Sequence, residues 1–357
     1  ASPNLVFAND ENTTSKDQAN ANSKLDVEIG MMAGKETPAP EYEGNAHQQM
    51  VKELKAYTLP SGLNILPDVE KYQEKVAIWK GNLPFGKLFF LGWLAGLWVA
   101  APATLALTIA GGLPADIRTL WPGIPKLIVG SFFPVAIFLI ILFGGELFTG
   151  NCMIMTVGFL TGRVSVKEIL YNLWWVLVSN FVGCVFYIYF FTELCEFFHK
   201  EPWKSYVASI AVTKVNLAYH VAFLRSIPAN ALVCTAVVLG GLSHDMCGKM
   251  LALWFPIMIF AVVGYEHAIA NMAFIPAGFF CGADSQVDYG HWLGTNLLIV
   301  IIGNAIGGGL FVGGTLWYLY SWTSYYGRAN PPSKSSMLTQ LRRGRSNLKS
   351  WIVWENS

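Results

Sequence analysis

Two stretches decide how this chain is read: Gly144-Gly145-Glu146-Leu147-Phe148-Thr149-Gly150-Asn151 and Gly264-Tyr265-Glu266-His267-Ala268-Ile269-Ala270-Asn271. Each sets glycine, glutamate and, five positions after the glutamate, asparagine inside otherwise apolar sequence. An ionised carboxylate at the centre of a bilayer is costly, and glycine weakens a helix by about 1 kcal/mol relative to alanine. Together they predict that a membrane-crossing helix breaks at each stretch. Irregular backbone at that depth is tolerated only when it is buried in protein or lines a watery cavity. Glu146, Asn151, Glu266 and Asn271 are suited to partner the freed backbone groups and so to hold the breaks in shape. Half-helices starting beyond each break would point their positive dipole ends inward, an arrangement that favours an anion.

The surrounding sequence supports a membrane setting. The chain has 357 residues, of which 54% are hydrophobic and 13% charged, against about 25% charged in an ordinary soluble domain. A crossing helix needs about 20 apolar residues. Six such spans are expected: 86–110, from near Pro125 to the glycines at 144–145, 167–192, 220–242, from near Lys249 to Gly264, and 292–320. Short apolar continuations follow the second and fifth, at 152–160 and 268–281. Arg163, Lys167, Lys249 and a basic C-terminal tail (323–357) fall on one side, which puts both termini on the cytoplasmic or equivalent side.

A second pairing strengthens the first. About thirty residues after each motif asparagine comes another, in Asn180-Phe181-Val182-Gly183 and Asn304-Ala305-Ile306-Gly307. Three spans per repeat is an odd number, so two repeats must insert with opposite topology. The fold class expected is therefore an all-α membrane protein: six transmembrane helices in two inverted three-span repeats, with the second and fifth helices broken.

Outside the body (85–322), residues 1–66 are polar and low in aromatics, as a disordered tail is, and offer a segment to which a protein partner can dock. Residues 67–84 suit an amphipathic helix on the membrane surface, or equally a solvated linker. Asn12-Thr13-Thr14 is a formal glycosylation sequon, discounted on a cytoplasmic-side tail. The six cysteines form no CxxC pair and read as small apolar packing residues. No nucleotide-binding, metal-ligand or Ser–His–Asp set is apparent, so no cofactor or metal is expected, no enzyme activity, and no nucleic-acid partner.

At these motifs the chain resembles the formate–nitrite transporter family. Residues 82–97 (NLPFGKLFFLGWLAGL) resemble the family's entry to its first span, 144–151 its Ω-loop, 264–278 its fifth-span signature, and 303–309 (GNAIGGG) its sixth-span motif. The resemblance covers about 70–320 and leaves out the long N-terminal tail. It implies an aquaporin-like fold, a homopentamer with one pore per subunit, and a small monovalent anion as substrate: formate, nitrite, lactate, acetate, hydrosulfide or bicarbonate. The paired Asn-Pro-Ala motifs of aquaporins are absent, so water conduction is not indicated. Residence in the plasma membrane or an organelle membrane is compatible, the chloroplast envelope included, where some photosynthetic eukaryotes use relatives for bicarbonate.

Residue by residue, the resemblance puts the family's pore histidine at His267, its Ω-loop threonine at Thr149 and its vestibule lysine at Lys214. Its apolar constrictions fall on Phe133 and Ile137 on one side and Phe260 on the other. A histidine often stands two residues after the vestibule lysine, and here Asn216 does. His267 is then the candidate proton site, since imidazole titrates near neutral pH. The competing reading is a neutral histidine that hydrogen-bonds Thr149 or nearby backbone. For Lys214 it is a snorkelling lysine at a helix end. A non-conducting membrane subunit on the same scaffold is the alternative for the whole chain; its signature is loss of His267, Thr149 or Lys214, and all three are present.

Overall fold

The computed structural model describes residues 64–322. The expected N-terminal tail, apart from 64–66, the sequon at Asn12 and the basic tail at 323–357 lie outside the described residues. Within them the chain is helical, and six helices are long and apolar enough to cross a bilayer. In chain order, α1 is Leu66–Gly81, α2 Phe85–Gly111, α3 the short Ala115–Leu120 and α4 Gly123–Leu142. Then come α5 Phe148–Leu160, α6 Val166–Glu193, α7 Trp203–Val215 and α8 Tyr219–Leu242. Last are α9 Met246–Val263, α10 Ala268–Phe280 and α11 Tyr289–Trp322. The spans are α2, α4, α6, α8, α9 and α11, and each lies within a few residues of its expected position.

Local chemistry sets several boundaries. Ser165 and Glu168 form a reciprocal capping box at the start of α6, which fixes its first turn. Asp245 caps α9 by accepting the amide of Gly248. At Phe133-Pro134 the regular hydrogen bonding of α4 is interrupted, because proline supplies no backbone donor. At its far end α4 stops at Leu142, and Gly144 follows with φ 69°. Likewise α9 stops at Val263, and Gly264 takes φ 83°. Both glycines hold a left-handed turn that a side chain would strain.

Beyond these turns, α5 and α10 have 13 residues each, or about 20 Å of helix, too short to cross about 30 Å of hydrocarbon. They form the centre of the bundle: almost all of α10 is buried, and so is the first part of α5. The spans pack around them in two similar pairs. α6 lies along α2 so closely that a Cβ on Gly183 would sit 2.1 Å from the Trp93 carbonyl oxygen. α11 lies along α8 in the same way, and a Cβ on Gly307 would sit 2.0 Å from the carbonyl oxygen of Ile227.

Two helices outside the spans complete the body. α1 packs on α5, and α7 packs on α10. The sequence around 203–215 mixes polar and apolar residues without a clear stripe, so composition alone gave no reason to expect α7. Cys152, Cys184, Cys234 and Cys281 are buried, whereas Cys195 and Cys247 are exposed.

Candidate functional site

α5 and α10 each begin at a set of three backbone bonds made by a neighbouring asparagine. Asn180 Oδ1 accepts the Phe148 amide at 3.0 Å, while Nδ2 donates to the carbonyls of Glu146 and Gly92, both at 2.8 Å. In the other half Asn304 Oδ1 accepts the Ala268 amide at 2.8 Å, and Nδ2 donates to the carbonyls of Glu266 (3.1 Å) and Ser226 (2.7 Å). A single amide side chain thus satisfies the first orphan N–H of each short helix and the irregular carbonyl just before it. Asn180 and Asn304 are fully buried, so their loss would leave these groups without partners.

The glutamates face away from the backbone. Glu146, buried, accepts from the ammonium group of Lys80 and, through Oε2, from Asn151 Nδ2 at 2.7 Å. Asn151 also donates to Asn172 Oδ1 (2.8 Å), and Asn172 Nδ2 returns to the Lys80 carbonyl (3.2 Å). Glu266 does the same. It accepts from Lys214 Nζ at 2.9 Å and from Asn271 at 2.7 Å. Asn271 donates to Asn296 at 3.2 Å, and Asn296 closes on the Lys214 carbonyl at 2.8 Å. Two rings of lysine, glutamate and two asparagines therefore sit one at the start of α5 and one at the start of α10. Each pairs a buried charge, as burial requires.

The two rings differ in access. The Lys80 side chain is 9% exposed and that of Lys214 20%. Lys214 is not a lone cation: its carboxylate partner offsets its charge, and an approaching anion meets an ammonium group with donors to spare. Lys80, Asn172 and Asn296 were not among the expected site residues. A signal for the asparagines was present, since Asn172 follows Asn151 by 21 positions and Asn296 follows Asn271 by 25. Asn216 is exposed at the end of α7.

Between the rings the N-termini of α5 and α10 meet. His267 is the N-cap of α10, and its Nδ1 accepts the Ala270 amide at 3.1 Å. With Nδ1 an acceptor, the neutral ring carries its proton on Nε2. Nε2 lies 3.0 Å from Thr149 Oγ1 in the first turn of α5. His267 donates in that contact, which leaves the Thr149 hydroxyl hydrogen free to donate elsewhere. A proton added to His267 has to enter at Nδ1, at the expense of the Ala270 cap. Both competing readings of the histidine find support here: it bonds Thr149 and a backbone amide, and it stands where two helix dipoles converge.

One side of the His267 ring closes an apolar cavity lined by Val99, Phe133, Ile137, Leu147, Val233 and Phe260. Phe260 lies over the imidazole at 5.6 Å between ring centres, and Phe133 meets Phe260 edge-on at 6.1 Å. Phe133, Ile137 and Phe260 were expected on two sides; they line one cavity together, because α4 and α9 run side by side at this level. Among the residues lining the cavity, only His267 has a polar side chain. His267 and Thr149 come together there; Lys214 belongs to the ring around Glu266.

The sequence profile of the formate/nitrite transporter family matches residues 68–318. A probable formate transporter of Methanothermobacter thermautotrophicus is 37% identical over 270 residues, 71% of this chain and 96% of the relative. The nitrite transporter NirC of Escherichia coli is 30% identical, over 68% of this chain and 87% of its own length. Among solved structures, an FNT family ion channel superposes with a TM-score of 0.64 at 28% identity, covering 71% of this chain and 98% of that one. A pentameric formate channel with formate bound gives 0.56 at 25% identity, over 66% and 98%.

Proposed function

Because the chain belongs to the formate/nitrite transporter family, we propose that it carries small monovalent anions such as formate or nitrite through a path in each subunit. It is a multi-pass integral membrane protein and a transporter, not an enzyme. The observation that carries the proposal is the junction of the α5 and α10 N-termini at His267 and Thr149, beside an apolar cavity. Helix N-termini attract negative charge. Thr149 supplies a hydrogen-bond donor to an anion that has shed water, and His267 frees that hydroxyl hydrogen by donating to its oxygen. Lys214, the more exposed of the two ring lysines, draws the anion in before it reaches the apolar passage, which a neutral acid crosses more cheaply than an ion. Proton coupling through His267 belongs to this proposal, with the proton entering at Nδ1.

The finer architecture is part of the same proposal. The matching asparagine and glutamate rings support two inverted three-span repeats with broken second and fifth helices. Assembly is a homopentamer, as the relative's pentameric channel supports. Both termini face the cytoplasmic or equivalent side, and α1 lies at the membrane surface. Lactate, acetate and bicarbonate stay in the substrate class.

The test is anion uptake by liposomes holding the purified protein, comparing formate, nitrite, lactate and bicarbonate at two pH values. Selective uptake that grows at lower pH is expected. Well-folded oligomers that pass none of these anions would overturn the transport proposal in favour of a non-conducting subunit.

A further inference from the structure

Helix α1 is turned inside out. Its buried face carries Glu70, Gln73 and Lys80 beside Val69 and Ala77. Its outward face carries Lys71, Tyr72, Lys75, Ile78 and Trp79. These outward positions recur at three- and four-residue spacing, so they form one stripe. A helix between protein and water turns its aromatic and aliphatic side chains inward and its charges out. Here Tyr72 is 61% exposed and Trp79 46%. Water is a poor neighbour for that face, and lysines among the rings suggest what replaces it.

We propose that the outward face of α1 is a binding site for anionic phospholipid headgroups, in the leaflet that α2 enters. α1 ends at Gly81 and α2 begins at Phe85, so the face continues directly into the first span. Phe85, itself exposed, meets Trp175 edge-on at 4.9 Å, an aromatic pair of the kind found at a membrane boundary. Lys87 reaches back over the Trp79 ring at 5.4 Å. Among the described residues Lys71, Lys75 and Lys87 form no ion pair. The nearby acids are occupied or withdrawn: Glu74 pairs with Arg163 at 2.7 Å, Glu70 is buried against Ser321, and Asp68 is half-buried in the first turn. Rings at headgroup depth with lysine stems alongside and ammonium groups at the phosphates satisfy every group on the face. Each lysine so placed strengthens attraction to an anionic surface roughly fivefold. Because Lys80 on the opposite face pairs with Glu146, headgroup capture would also hold that ring in place.

Native mass spectrometry of the full-length protein tests this without any transport reading. The protein in detergent is titrated with phosphatidylglycerol or with phosphatidylcholine of the same acyl chains. Wild type is expected to retain phosphatidylglycerol preferentially, and Lys71→Gln/Lys75→Gln/Lys87→Gln to lose at least tenfold of that preference. Lys200→Gln/Lys204→Gln, in exposed positions far along the chain, is expected to behave as wild type. Equal retention of both lipids by wild type, or an undiminished preference in the triple variant, overturns the proposal. So does a triple variant that dissociates into protomers with its preference intact, which would mark the face as a contact between copies.

Discussion

Lys80 and Lys214 each neutralise a carboxylate that has almost no access to water. Removing one member of a buried pair costs about 3–5 kcal/mol, because the other charge stays behind. Lys80→Met is therefore expected to lower the midpoint of thermal unfolding sharply, and Lys80→Met/Glu146→Gln to recover most of the loss. A single variant as stable as wild type would show that Glu146 is not charged when paired. The first ring went unread in the sequence because Lys80 stands 66 positions before its partner, in a separate segment ahead of the first span. The motif glutamates and asparagines stand out because charge and glycine inside apolar runs demand a reason, but their side chains bond other side chains, and the backbone bonds expected of them come from Asn180 and Asn304. What the residues could not reveal was partner choice, which depends on contacts between segments far apart in sequence.

At the scale of elements, the spans were legible because each must be long and apolar to cross hydrocarbon, a constraint written directly into composition. α7 was not, since a short helix packed on α10 needs no such signature. Two predictions belong here. Gly183→Ala and Gly307→Ala place a methyl group against a backbone carbonyl of the facing span. Each is expected to destabilise by about 1–3 kcal/mol, read as a lowered midpoint of thermal unfolding in detergent, and an unchanged midpoint would mean that the spans separate freely.

The docking of α1 depends on pH. Burial lifts the Glu70 carboxyl from 4.5 to about 7; Glu74 adds to the rise, and Ser321 and Lys71 oppose it. The docked helix thus prefers the protonated acid. Docking is tightest below the ordinary carboxylate value, weakens as pH climbs from there to about 7, and changes little above it, a span worth on the order of 3 kcal/mol. Hydrogen exchange of amides 66–81, corrected for intrinsic rates, is expected to speed up across that window, and Glu70→Gln to abolish the change. Exchange independent of pH in wild type would contradict it.

For the molecule as a whole, two helices too short to span the membrane, α5 and α10, meet N-terminus to N-terminus at the centre of the bundle. A bundle made only of complete spans has no such junction; Asn180 and Asn304 satisfy its irregular backbone, and the two lysine–glutamate–asparagine rings flank it. In the proposed function, the apolar cavity on one side of His267 is the barrier that an anion passes with help from the junction. The paired motifs stand out in the sequence; the convergence of both N-termini on a single His–Thr contact does not, since 118 positions separate the two residues.

The most direct measurement is formate uptake by liposomes containing His267→Ala, beside wild type reconstituted at the same density and oligomeric state. The junction account predicts that uptake falls to the level of empty liposomes while the oligomer stays intact. Uptake by the variant equal to that of wild type would mean that anions do not pass the His267–Thr149 contact, and would contradict the account.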